Sequence, residues 1–419
     1  MGMTITEKIF ARASGRESVR AGDIIDANID LALMQEITTP SIYRGLKEVG
    51  AGIWDVERVV VVIDHFSPPS ATWKADNVKE TNQFVKDCGI KYFYPHRGIM
   101  HVVLPETGHI RPGELIVGVE SHTVTHGAFG AVAIGIGATE MVYVLAKGTL
   151  WFRVPETILV RIDGKFNSSI FGKDIMLSIL KELGVDGATY KALEFAGTAI
   201  GELTIDGRIT LANMSVEAGA KNGIIEPDDK MTDYVREKSR MPFTVVRSDD
   251  DAKYSQTLHI DASQLTPLVA CPHSPDNVKP ISEVEGIHVD QAFLGTCTNG
   301  RMEDLRIAAK ILKGRTIPKD TRFLIFPGSV EIYQNAIKEG IIDTFLEAGA
   351  ILCNSSCGPC GGGHMGVLGD GEVCISSGSR NFRGRMGSPS AQIYLGSAAT
   401  VAASAASGEM TDPRKFLGE

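Results

Sequence analysis

Cys297 stands in LGTCTNGR, and Cys357 and Cys360 stand in NSSCGPCGGGH. Two cysteines three residues apart in a glycine-rich turn can present both sulfurs to one iron–sulfur cube. A third, far upstream at the end of an expected strand, can close in from another side. A [4Fe–4S] cluster normally takes four thiolates. Three would leave one iron open to water or a substrate oxygen, as a Lewis acid. Cys-Gly-Pro-Cys by itself also occurs in redox and zinc-binding motifs, so the flanking TCTNGR and SRNFRGRMG add to what the pair alone says.

Carboxylate–imidazole pairs form the second set of reactive groups. Asp64 and His65 follow ERVVVVI, His101 lies in the apolar run RGIMHVVLPE, and Glu120, His122 and His126 end ELIVGVESHTVTHG. A carboxylate beside an imidazole sets the ring's tautomer and raises its basicity. An isolated Asp-His pair reads more readily as a turn with a solvated acid and a core histidine. His122 and His126 have the spacing of a zinc-binding helix, but Thr123 stands where a metalloprotease has glutamate.

The elements that must hold these groups are strands and helices in alternation. Four consecutive valines and an isoleucine before Asp64 suit a strand buried on both faces of a parallel sheet. Ligand crevices of such sheets lie at the carboxyl ends of the strands. Helices are expected for TITEKIFARAS, for ITTPSIYRGLKEVGA, for about 71–88, for KDIMLSILKELG, for 301–313 and for SVEIYQNAIKEG. AFGAVAIGIGATEMVYVLA reads as one buried, glycine-interrupted helix, too broken to cross a membrane. The stretch 228–253 reads as a solvated helix plus loop, and ACPHSPDNVKPISEV as a linker. The expected fold class is α/β, with mainly parallel sheets in three α/β/α domains at 1–150, 151–285 and 286–419.

The chain has 419 residues, 43% hydrophobic and 22% charged, which allows a large core. A net charge of −9 argues against a nucleic-acid partner. Seven cysteines without a secretory leader point to a reducing, cytoplasmic setting with thiols or metal ligands.

Taken with their flanks, the three cysteines resemble the aconitase superfamily of iron–sulfur hydro-lyases, most closely the large subunits of the 3-isopropylmalate dehydratase and homoaconitase group. IDHFSPP, GIMHVVLPE, ESHTVTHGAFGA, TLANMSVEAGAKNG, GTCTNGR, CGPCGGG and SRNFRGR occur in the family's order along essentially the whole chain. The resemblance implies three α/β domains around one [4Fe–4S] cluster per subunit, held by Cys297, Cys357 and Cys360, with one iron not ligated by protein. It implies acid–base roles for Asp64, His65, His101, Glu120 and His122. It gives substrate-carboxylate roles to Arg380 and Arg385, a further active-site carboxylate at Glu194, a cluster-side place for Ser379, and no assignment for Arg383. Cys353 is expected in the core, and Cys88, Cys271 and Cys374 as plain thiols.

Two departures bear on the substrate: Glu120 replaces the family's usual aspartate, and Ser379 its usual asparagine. The layout's commonest substrate is 3-isopropylmalate, the departures point toward 2,3-dimethylmalate or another short branched malate, and a homoaconitase large subunit is the alternative. The family's swivelling domain does not follow the third unit, so a separate small subunit is the expected partner of this hydroxy-dicarboxylic acid enzyme. Competing readings are a radical-SAM site on Cys353, Cys357 and Cys360, a four-cysteine zinc site that adds Cys297, and an RNA-binding form without the cluster.

Overall fold

The computed structural model describes residues 2–418. These residues form two compact units, 2–163 with 188–260, and 164–187 with 261–418.

In the first unit, a five-stranded parallel sheet runs in the order Tyr92–Pro95, Val59–Ile63, Leu31–Gln35, Leu115–Gly118, Val132–Gly135. The valine run is buried at every position, and its alternation decides where each side chain goes. Val59 and Val61 join one apolar core with Phe10, Met34 and Phe84, whereas Val60 and Val62 join a second with Leu33, Phe129 and Ile209. The chain moves outward from Leu31–Gln35 through Val59–Ile63, then returns to the other side at Leu115–Gly118. The reversal opens a crevice at the carboxyl ends of these central strands.

A second sheet in this unit has the order Asn222–Ile225, Ala192–Ala196, Thr157–Asp163, Gln256–Asp261, the first three parallel.

The glycine-rich stretch expected to be one helix is three elements. A 3-10 segment, Ser121–Phe129, ends at Gly130 with φ +75°, Val132–Gly135 takes the sheet edge, and only Ala138–Lys147 is α-helical. The left-handed turn at Gly130 interrupts any continuous helix, and the β-branched residues beyond it pair with the neighbouring strand. In the stretch 228–253, the helix Asp229–Lys238 is not wholly solvated, since Met231, Thr232 and Val235 are buried.

In the second unit, seven strands run in the order Val278–Pro280, Leu268–Ala270, Gln392–Gly396, Val373–Ser376, Gln291–Leu294, Arg322–Ile325, Ile351–Leu352. The five from Gln392–Gly396 onward are parallel, and the first two are antiparallel. The segment expected as a linker is therefore an antiparallel edge of this sheet. Pro272 lies in the turn, and Pro280 ends the outermost strand, the positions where a missing amide hydrogen costs the ladder least. The helix Gly172–Leu183 belongs to this unit, where the Asp174 carboxylate accepts the Leu268 amide at 3.0 Å. Here the chain reverses between Gln291–Leu294 and Val373–Ser376. The loops after those strands carry Cys297 and Ser379–Arg380, and the loop after Ile351–Leu352 carries Cys357 and Cys360.

Candidate active site

At the carboxyl end of the first sheet, five titratable side chains form one continuous string. Glu217 Oε1 lies 2.8 Å from His122 Nε2, and His122 Nδ1 lies 3.1 Å from Glu120 Oε1. Glu120 Oε2 lies 2.7 Å from His101 Nε2, whose Nδ1 is 3.2 Å from His126 Nε2. Local sequence explains the shape. Glu120 caps the 3-10 segment by accepting the His122 amide at 2.6 Å, and its extra methylene lets one carboxylate meet two rings. His122 has a carboxylate oxygen on each nitrogen and satisfies both as an imidazolium. Burial pushes the Glu120 carboxyl up, but the His122 charge and the hydrogen bonds of both rings outweigh it and hold Glu120 well below the usual carboxylate range.

Asp64 and His65 form a separate pair. His65 Nδ1 lies 2.6 Å from Asp64 Oδ1, and Asp64 Oδ2 accepts the Met100 amide at 2.8 Å, at the start of the helix that carries His101. Burial of Asp64 opposes ionisation, yet the His65 charge, its hydrogen bond and the Met100 amide lower the carboxyl below its ordinary value. Of the imidazoles tied to carboxylates here, His65 is the accessible one, with a side chain 27% exposed against 3% for His101 and 4% for His122.

Beneath this pair, the fully buried Glu36 accepts the Asp64 amide at 3.2 Å and also the Phe66 amide, so one carboxylate holds both neighbours of His65. Burial, then the Asp64 charge, pushes Glu36 up to about 7.

Glu194 stands outside these contacts. It is 2% exposed on the strand Ala192–Ala196, and its Oε1 accepts from Ser248 Oγ at 2.8 Å and Tyr254 OH at 2.7 Å. Burial pushes its pKa up to about 7. Glu217 is the further carboxylate that meets His122. Sequence reasoning passed over it although it sits inside NMSVEAGAKNG. An acid after a helix and before glycine was the available signal. Glu36 was passed over too, at the carboxyl end of LALMQ, where the same reasoning about strand ends applies.

In the second unit, Cys297 is buried and Cys357 and Cys360 are half-buried, all without disulfides. The short 3-10 turn Gly358–Gly361 carries Cys360, and Gly358 at φ +55° lies against the Phe326 ring, where a Cβ would come within 2.9 Å. Arg385 Nη2 lies 3.9 Å from Cys360 Sγ, and its buried Nε has no hydrogen-bond partner among the described residues. Ser379 is buried, Arg380 partly so, and Arg383 exposed.

Burial pushes up the thiols of Cys88 and Cys271, that of Cys353 to about 11, and that of Cys374 further still. Cys353 is half-buried, not in the core as expected.

The model of the aconitase family (aconitate hydratase) matches residues 7–408. A probable 3-isopropylmalate dehydratase large subunit of Methanothermobacter thermautotrophicus is 50% identical over 99% of both chains. A probable methanogen homoaconitase large subunit of the same organism is 48% identical, also over 99% of both. The 3-isopropylmalate dehydratase large subunit of Aquifex aeolicus is 47% identical over 100% of this chain and 98% of its own. With a family match over nearly the whole length and relatives 47–50% identical from end to end, the chain belongs to the aconitase family.

Proposed function

We propose that this chain is the cluster-bearing large subunit of a hydro-lyase that reversibly dehydrates an alkyl-substituted malate, 3-isopropylmalate or a short branched relative such as 2,3-dimethylmalate. One observation carries the reading. In a chain matching the aconitase family over residues 7–408, the accessible imidazole, His65, is bound through Nδ1 to a buried, ionised Asp64. That arrangement favours the protonated ring, whose Nε2–H is the proton a general acid would deliver to a departing hydroxide.

Cys297, Cys357 and Cys360 suit one [4Fe–4S] cluster with one iron unligated by protein, because they combine soft sulfur donors with a glycine turn that brings backbone close. When bound, such a cluster supplies a Lewis acid that polarises the substrate hydroxyl. The protein's own groups do the rest. Arg380 and Arg385 hold carboxylates in their planar forks, and the unpartnered Nε of Arg385 supports that assignment. Ser379, buried in the same segment, would help to hold a bound cluster. His101 and the doubly bonded His122 fix charge and hydrogen-bond direction through Glu120. The carboxylate role expected of Glu194 is assigned to Glu217, which bonds His122.

The relatives' names as large subunits support a separate small subunit as partner, and cysteine usage supports the cytoplasm. Among the described residues no helix is long and apolar enough to cross a membrane. Homoaconitase is the second reading, favoured by a relative of that name at 48% identity beside one of the first kind at 50%.

The test is anaerobic reconstitution with the small subunit, following ultraviolet absorbance of the unsaturated product from 3-isopropylmalate, 2,3-dimethylmalate, homocitrate and citrate. The expected result is strong turnover of one acid, lost in Cys297→Ser and kept in Cys353→Ser. Loss of the cluster in Cys353→Ser with survival in Cys297→Ser would overturn the reading in favour of the Cys353 motif.

A further inference from the structure

Lys173 is the second residue of the helix Gly172–Leu183 and is completely buried. Two electrostatic effects oppose a cation there. Taking an ammonium out of water costs several kcal/mol unless it is well bonded, and the amino end of a helix disfavours positive charge. The compensation lies 204 and 205 residues away, where Nζ donates to Ser377 O at 2.9 Å and to Gly378 O at 2.6 Å. Those carbonyls immediately precede Ser379 and Arg380.

The far side of the same segment is pinned as firmly. The fully buried Asn381 donates through Nδ2 to Cys271 O at 2.8 Å, Ile393 O at 3.2 Å and Ala270 O at 3.4 Å. Arg380 thus sits on a strap anchored at both ends, and one anchor is a buried charge.

We propose that Lys173 is a positioning residue for substrate binding. It aims the peptide planes of residues 377–379 so that the Arg380 guanidinium meets a substrate carboxylate in a fixed orientation. The inference rests on the reading of Arg380 as a carboxylate-binding residue. Charge-assisted bonds to two successive carbonyls fix direction more tightly than neutral ones, and small misplacements of a binding group are expensive in catalysis.

The test uses the complete enzyme, reconstituted with its small subunit and cluster, carrying Lys173→Met, Lys173→Gln or Arg380→Lys. Steady-state kinetics is read beside calorimetric binding of an unreactive 2-alkylsuccinate. With cluster absorbance and melting temperature retained, Lys173→Met is expected to raise KM and weaken succinate binding about ten- to a hundredfold, with kcat changed much less. Lys173→Gln, which keeps a donor for these carbonyls, recovers part of the loss. Folded Lys173→Met with unchanged KM and succinate affinity, while Arg380→Lys raises KM, overturns the role of Lys173. So does failure of both Lys173 variants to fold, because the lysine is then a stability element. An unchanged KM in Arg380→Lys overturns the underlying carboxylate reading instead.

Discussion

Chemistry in this chain depends on which oxygen meets which nitrogen. Asp64→Asn keeps the shape of the pair but exchanges an ionised acceptor for an amide that no longer favours the protonated His65 ring. We expect kcat to fall about 10²- to 10⁴-fold while the cluster absorbance is unchanged, and an Asp64→Asn enzyme of near-normal kcat would remove His65 from the proton transfer. Two buried glutamates give a sharper contrast. Glu217→Gln breaks the 2.8 Å contact with His122 and should depress turnover. Glu194 accepts from Ser248 and Tyr254, and Glu194→Gln should leave turnover near normal. Parallel assays of the two variants decide this, and the reverse pattern would return Glu194 to the active site.

At the level of elements, positioning relies on backbone approaching backbone. Gly127 lies in the segment that carries His122 and His126, and a Cβ there would stand 1.8 Å from the Gly223 carbonyl oxygen of the strand Asn222–Ile225. No side-chain adjustment relieves a contact with backbone. Gly127→Ala should therefore destabilise the protein by at least about 1–3 kcal/mol, read as a lowered melting temperature, with turnover falling through displaced histidines. An unchanged melting temperature would mean that this segment shifts freely. The carboxylate of Glu36 is the corresponding device beneath His65, and only the folded sheet brings it to the Asp64 and Phe66 amides. Strands, most helices and their caps were legible in composition and period. The errors fell where glycine turned the chain, in the Gly130 region, and where two short antiparallel strands flanked a proline-rich turn, because neither leaves a long periodic signature.

Across the whole molecule, burial sets the response to pH. Glu36, Glu114, Asp174 and Glu194 are each pushed up to about 7 chiefly by burial, from ordinary values of 4.5, 4.5, 3.8 and 4.5. The folded protein keeps these protons longer than the unfolded chain, so the stability they contribute is complete at low pH and is lost as pH rises toward about 7. Asp64 and Glu120 act in the opposite sense, since their lowered values add stability above the ordinary carboxylate range that disappears as acid protonates them. The melting temperature should accordingly be higher near about pH 5.5 than near about pH 8, and Glu194→Gln with Asp174→Asn should flatten that slope. Calorimetry across this range would refute the account if the midpoint rose with pH, or if the double variant left the slope intact.

The candidate reactive groups are written in local sequence. The cysteines, the Asp64–His65 pair, Glu120 with His122, and the arginines after Ser379 are each marked by residues a few positions apart, and so is the alternation of strand and helix. Tertiary structure alone decided the partners. Glu217 reaches His122 across 95 residues, and Lys173 reaches Ser377 across 204. The reason is physical: a hydrogen bond is set by distance in space, and only the packing of helices and turns against the sheets makes neighbours of remote positions.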